Sequence, residues 1–150
     1  MPKSPLRTKP SLLAGKRINK REASVLASSA KQIQKVVYDF DLDAGAQGSI
    51  DLAVSLPDNS VVTALFSDEI TALTSGGAAT LQLKAGAIDL SDAIAFDTGF
   101  DGVQSQALAS SATAIKVNAD DTLSLEIAAA DLTAGKVILA IEFYTSEEVK

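Results

Sequence analysis

Three aspartates, Asp39, Asp41 and Asp43, stand at every second position near the start of VVYDFDLDAGAQGSIDLAV (residues 36–54). Carboxylates so spaced could build a calcium loop, but that loop needs a glycine at its sixth position and a glutamate at its twelfth. Counted from Asp39 those places hold Ala44 and Ile50, so the calcium reading fails. The residues between the aspartates account for the spacing instead. Val36, Tyr38, Phe40 and Leu42 alternate with the acids, the period of a strand with one wet face.

Asp97-Thr98-Gly99 matches the tripeptide of aspartic proteases, where two carboxylates share one proton. A chain of 150 residues would have to find its second aspartate by dimerising. The next residue is Phe100, where those enzymes prefer a small one, and no hydrophobic-hydrophobic-Gly partner strand follows. An Asp/Gly turn after a strand is the expectation, with a dimeric protease using Asp97 as a minor alternative. The acidic pairs Asp120-Asp121 and Asp68-Glu69 could offer oxygen ligands to a divalent cation, yet on an acidic body they read as solvated turns. Ser75-Gly76-Gly77 lacks the lysine and helix of a phosphate-binding loop. Lys84 and Lys116 lie in apolar strands, and alternation turns both toward solvent or another subunit. With no Cys and no His, disulfides, thiolate or imidazole metal sites and His-dependent triads are excluded. No catalytic residue, metal site or cofactor is implied, and the expectation is a protein that is not an enzyme.

The net charge of −6 conceals a division. Residues 1–35 hold nine Lys and Arg against one acid (+8), whereas residues 36–150 hold four Lys against eighteen acids (−14). Such asymmetry marks a tail that meets something the body does not. MPKSPLRTKPSLLAGKRINKR carries three prolines and scattered cations with too little apolar surface to fold alone, so an extended arm is expected. A short helix over 21–35 is offered by Leu26, Ala30, Ile33 and Val37 at 4-3-4 spacing. The absence of aromatics among the cations disfavours nucleic acid as the arm's target. No window reaches bilayer length and no signal-peptide core is evident, so neither a membrane nor an export route is expected.

From residue 36 onward the chain reads as eight or nine short strands with turns every eight to twelve residues. Residues 36–43 and 50–54 suggest a hairpin across Ala44–Gly48; 61–66, 70–73, 79–84, 93–96, 112–117 and 122–127 follow. The clearest strand is 136–144, where Val137, Leu139, Ile141 and Phe143 alternate with Ile138, Ala140, Glu142 and Tyr144. Residues 88–92 and 128–132 look like small helical turns. The expected fold is all-β, an antiparallel sandwich of jelly-roll type, with domain boundaries at 1–35 for the arm and 36–150 for the body. An Ala-rich core is expected, with small-residue surface left to pack against other copies.

Two stretches, YDFDLDAGAQGSIDLAVSLPDNSVVTALFSDEITALTSGGAATLQL (38–83) and SSATAIKVNADDTLSLEIAAADLTAGKVILAIEFY (110–144), resemble the small virion structural proteins of tailed bacteriophages, the capsid decoration (cement) and head-fibre-like proteins. The likeness lies in turn-and-strand signatures and leaves out the arm. It implies a β-sandwich made in the host cytoplasm that oligomerises, as a homotrimer, on the outer surface of a capsid and has the major capsid protein as partner. A basic arm suits that role, since it steers toward an acidic shell and can lie in grooves between its subunits. Lys16, Arg17, Lys20 and Arg21 would supply the electrostatic contact and Leu12, Leu13 and Ile18 the apolar anchors. The alternative is a fibre or tail-associated protein that binds host-surface glycans.

Overall fold

Alternation of apolar and polar residues builds ten strands over residues 30–146, the part of the chain that the computed structural model describes. In chain order they are β1 (Gln32–Asp39), a single helical turn α1 (Phe40–Asp43), β2 (Gly48–Leu56), β3 (Ser60–Ser75), β4 (Thr80–Ala85), β5 (Ile88–Asp89) and β6 (Ile94–Ala95). Then come β7 (Val103–Gln106), a 3-10 turn at Ala109–Ser111, β8 (Ile115–Val117), β9 (Asp121–Ala128) and β10 (Leu132–Thr145). One sheet runs β1-β10-β3-β7, with β8 also on β3; the other runs β2-β9-β4-β5, with β6 also on β4. Every pairing is antiparallel.

The pairing follows one rule. β4 and β5 form a hairpin over Gly86-Ala87, and β3 with β7 and β8, β2 with β9, and β1 with β10 pair successively further out from it. The chain is doubled on itself into one long antiparallel ribbon, and wrapping that ribbon alternately into two sheets produces the jelly roll. Gly86 sits at the tip with φ +58, and a β-carbon there would collide with the Asp121 carboxylate. Glycine meets both demands at once.

The winding overturns the expected 36–54 hairpin, because β1 lies in one sheet and β2 in the other. Alternation also stops earlier than its pattern suggests. After Asp39 the backbone makes α1: the Asp39 carboxylate accepts from the Asp41 amide (3.1 Å), and the Asp39 amide donates to Asp43 Oδ2 (2.9 Å). This reciprocal cap stabilises a helical turn over continued strand, and it leaves Leu42 83% exposed. At the other end of β1, residues 32–35, which charge groups with the arm and spacing with a helix, are strand. All eight residues of β1 pair with Lys136–Phe143, and that ladder overrides a weak helical preference. Residues 21–29 of the suggested helix lie outside the described residues. Residues 88–89 are strand, and 128–132 are not helical, with Ala129 at φ 71.

The core is built from branched aliphatics rather than alanine. Leu65, Val137, Leu139 and Ile141 from one sheet meet Leu81, Leu83, Leu123, Leu125 and Ile127 from the other, with Tyr38 and Phe100 fully enclosed. Ala79 and Ala85 are the buried alanines among the described residues. The gap lined by Phe100, Leu125 and Leu139 has a volume of about 10 Å³, room for roughly one water and no ligand.

Candidate interaction surface

The two outward faces of the sandwich differ in kind. On the β2-β9-β4 sheet the outward positions are Ser49, Asp51, Ala53 and Ser55, then Thr122, Ser124 and Glu126, then Thr80, Gln82 and Lys84. Alternation here gives an ordinary wet face. Lys84 lies across it, 3.0 Å from Asp89 and 3.5 Å from Glu126, and these carboxylates raise its pKa, Asp89 foremost.

On the β1-β10-β3-β7 sheet, pairing brings apolar residues into rows. One row reads Val37, Ile138, Asp68, Val103; the next reads Lys35, Ala140, Phe66, Ser105; a third starts Ile33, Glu142, Ala64. Val103 is 76% exposed, Ile33 61%, Val37 48% and Phe66 40%. Ile70, the unpaired residue of a bulge between Glu69 and Thr71, is exposed at the margin. Three strands about 4.8 Å apart over some eight residues each, with the four residues of β7 beside them, make this face roughly 450 Å² in projection. Apolar residues are gathered on this face, with Lys35 and Asp68 among them, which makes it the candidate site of contact.

Ionic groups frame the patch. Lys136 Nζ lies 2.9 Å from Asp39 Oδ2 at one end, and Lys31 Nζ lies 3.3 Å from Glu142 Oε1 at the other. The Lys136 bond holds the Asp39 carboxyl below its usual range, and the Thr63 hydroxyl (2.8 Å), then Lys31, do the same for Glu142. Lys35 and Asp68 have no ionic partner among the described residues. Beneath the Asp39 end, the Tyr38 hydroxyl donates to the Ala44 carbonyl at 2.8 Å. Burial, then the charges of Asp43 and Asp39, push its pKa up to about 12.

No family model matches the sequence, and no curated protein matches it. The fold has a solved counterpart. It is similar to a chain in the acidic stable capsid structure of Helicobacter pylori bacteriophage KHP30, with a TM-score of 0.57, 12% identity, and coverage of 80% of this chain and 91% of that one. At that identity the likeness is one of fold.

The residues singled out by sequence are dispersed by the structure. Leu12, Leu13, Lys16, Arg17, Ile18, Lys20 and Arg21, the expected anchors, lie outside the described residues. Asp97 is exposed in the loop between β6 and β7, its carboxylate accepting from the Thr98 amide at 2.7 Å, which is the turn geometry expected of it. Asp120 accepts from the Asp58 amide (2.7 Å). Asp68 faces outward, whereas Glu69 Oε2 accepts from the Leu73 amide (2.9 Å) within the β3 bulge. Each acid of interest is thus tied to backbone or set apart, and no group of three or more potential metal ligands converges among the described residues. Lys116 projects outward beside β3, as alternation expects, with its Nζ 2.7 Å from Ser146 Oγ. The outward apolar face was not singled out from sequence. Its residues come from four strands far apart in the chain, and only their register assembles them.

Proposed function

We propose that this chain is a non-enzymatic structural protein of a tailed-bacteriophage virion, a decoration protein that stabilises the capsid from its outer surface. The likeness of fold to a chain from a phage capsid structure, extending over 91% of that chain, carries the reading. The charge division supports it. Seven Lys and Arg against one acid in residues 1–29 form a cationic segment (+6) that enters the sandwich at β1. Such a segment suits contact with an acidic shell built of major capsid protein, where opposite charge speeds encounter and fixes orientation. Leu12, Leu13 and Ile18 would seat in grooves between shell subunits, with Lys16, Arg17, Lys20 and Arg21 on acidic side chains around them. The β body then faces outward and oligomerises.

Binding of the purified full chain to heads of the parent phage that lack it, followed by sedimentation, tests this. Saturable binding is expected, weakening as salt screens the arm, with Lys16, Arg17, Lys20 and Arg21 all changed to Ala lowering affinity at least tenfold. Absence of binding, or binding indifferent to those four changes, refutes shell anchoring by the arm.

A further inference from the structure

The apolar outer face of the β1-β10-β3-β7 sheet needs an occupant, and charge discriminates between candidates. Four of the five described lysines, Lys31, Lys35, Lys116 and Lys136, lie on this face or its rim, with four of the sixteen described acids, Asp39, Asp68, Asp101 and Glu142. The face therefore carries no net charge, while the rest of the described body, one lysine against twelve acids, carries −11. Two copies approaching by any other side meet strong like-charge repulsion; by this side they do not. The chain's own basic segment, at +6, gains nothing electrostatically from a neutral face.

We propose that this face is the contact between copies of the chain, packed outer sheet against outer sheet. Its extent fits. Roughly 450 Å² of projected surface, to which the charged rim adds, is more than half of the about 800 Å² per partner that a stable interface covers. Its composition also fits. Val37 on β1 and Val103 on β7 close the two ends of a row that runs through Ile138 and Asp68, Phe66 stands in the next row, and the face carries one cation and one anion without ionic partners among the described residues, Lys35 on β1 and Asp68 on β3. These two strands flank β10. A two-fold turn about the β10 direction lays each β1 over the other copy's β3 and sets Lys35 one row from the opposing Asp68. Both ion pairs form together, as a self-complementary surface requires. The edge of β1 is less suited to pairing with another strand. The Gln34 side chain bonds the Lys35 carbonyl (3.0 Å), and Asp43 takes the Asp39 amide.

This inference stands on the surface alone and does not require a shell. The test is the solution mass of the full chain by light scattering over a range of concentrations. The wild type is expected at twice 15.5 kDa, and Val103→Asp at the mass of one chain with an unchanged far-UV spectrum. Lys35→Asp and Asp68→Lys should each weaken association about tenfold, and the double reversal should restore it. Ala53→Lys, on the opposite face, should leave the mass unchanged. A Val103→Asp protein that folds and keeps the wild-type mass overturns the proposal. So does a wild type that stays monomeric, whether a hydrophobic dye finds the face covered, as by the chain's own arm, or open to another partner.

Discussion

Replacing Tyr38 by Phe removes one hydroxyl from the point where the chain leaves the first sheet for the second. The ring is fully enclosed, and its hydroxyl donates to the Ala44 carbonyl at 2.8 Å, closing the loop around α1. At neutral pH the loss of that bond should cost about 1 kcal/mol, the usual net worth of a partly buried hydrogen bond. Alkaline pH should reverse the sign. In the unfolded chain Tyr38 ionises near its ordinary value of 10.0, whereas in the fold burial and the neighbouring Asp43 and Asp39 hold it at about 12. A group whose pKa rises on folding gives stability that is complete below the unfolded value and drains away as pH climbs to the folded one. The interval sets a ceiling of about 2.7 kcal/mol, which solvent around the two aspartates lowers to about 1–2 kcal/mol. Urea unfolding of both proteins at steps from pH 7.5 to 11.5, followed by far-UV circular dichroism, reads the difference directly. The wild type should lead by about 1 kcal/mol at pH 7.5, and the lead should vanish or invert by pH 11.5, because Phe has nothing to ionise. A difference that stays constant across that range, or a Phe variant that is the more stable at neutral pH, would refute the account of Tyr38.

Two further outcomes follow from local geometry. Gly135 (φ +127) and Gly48 (φ +132) share a backbone that disfavours L side chains, but a β-carbon at 135 would lie 2.6 Å from Leu73 Cδ2 and 2.7 Å from Leu73 Cα, whereas one at 48 would touch nothing. Gly135→Ala should therefore cost about 2–4 kcal/mol and Gly48→Ala about 1–2 kcal/mol in chemical denaturation; equal costs would show that the Leu73 contact is relieved at no expense. The Asp39 carboxyl is held low by Lys136, so the stability it lends is present above the ordinary aspartate range and lost as pH falls through its folded value. The gap between wild type and Asp39→Asn should be open at pH 7 and close on acidification below about pH 4; a gap that persists at pH 2 would contradict the ion pair's role.

Strand character was legible wherever one face is buried. Val137, Leu139, Ile141 and Phe143 alternate with outward residues, and β10 buries one face as that pattern implies. Pairing was not legible, since the partners of β1 and β2 lie about as far along the chain beyond Gly86 as those strands lie before it. Proximity in sequence suggested a 36–54 hairpin, but a doubled ribbon sends successive strands to opposite sheets. The polar stretch Ser67-Asp68-Glu69 read as a break, yet β3 runs through it, because Ser67 is buried and bonded by the Gln106 side chain (2.8 Å) while Glu69 caps the bulge amide of Leu73. The outer apolar face was hidden for the same reason as the pairing. Val37, Phe66 and Val103 look like isolated apolar residues until register aligns β1, β10, β3 and β7.

Imaging purified particles of the parent phage by electron cryomicroscopy would test the central claim most directly. The account predicts jelly-roll density at regularly repeated positions on the outside of the capsid, with the basic segment running from the start of β1 into the shell. Particles with this density confined to the tail or its fibres, or with none of it, would contradict the assignment.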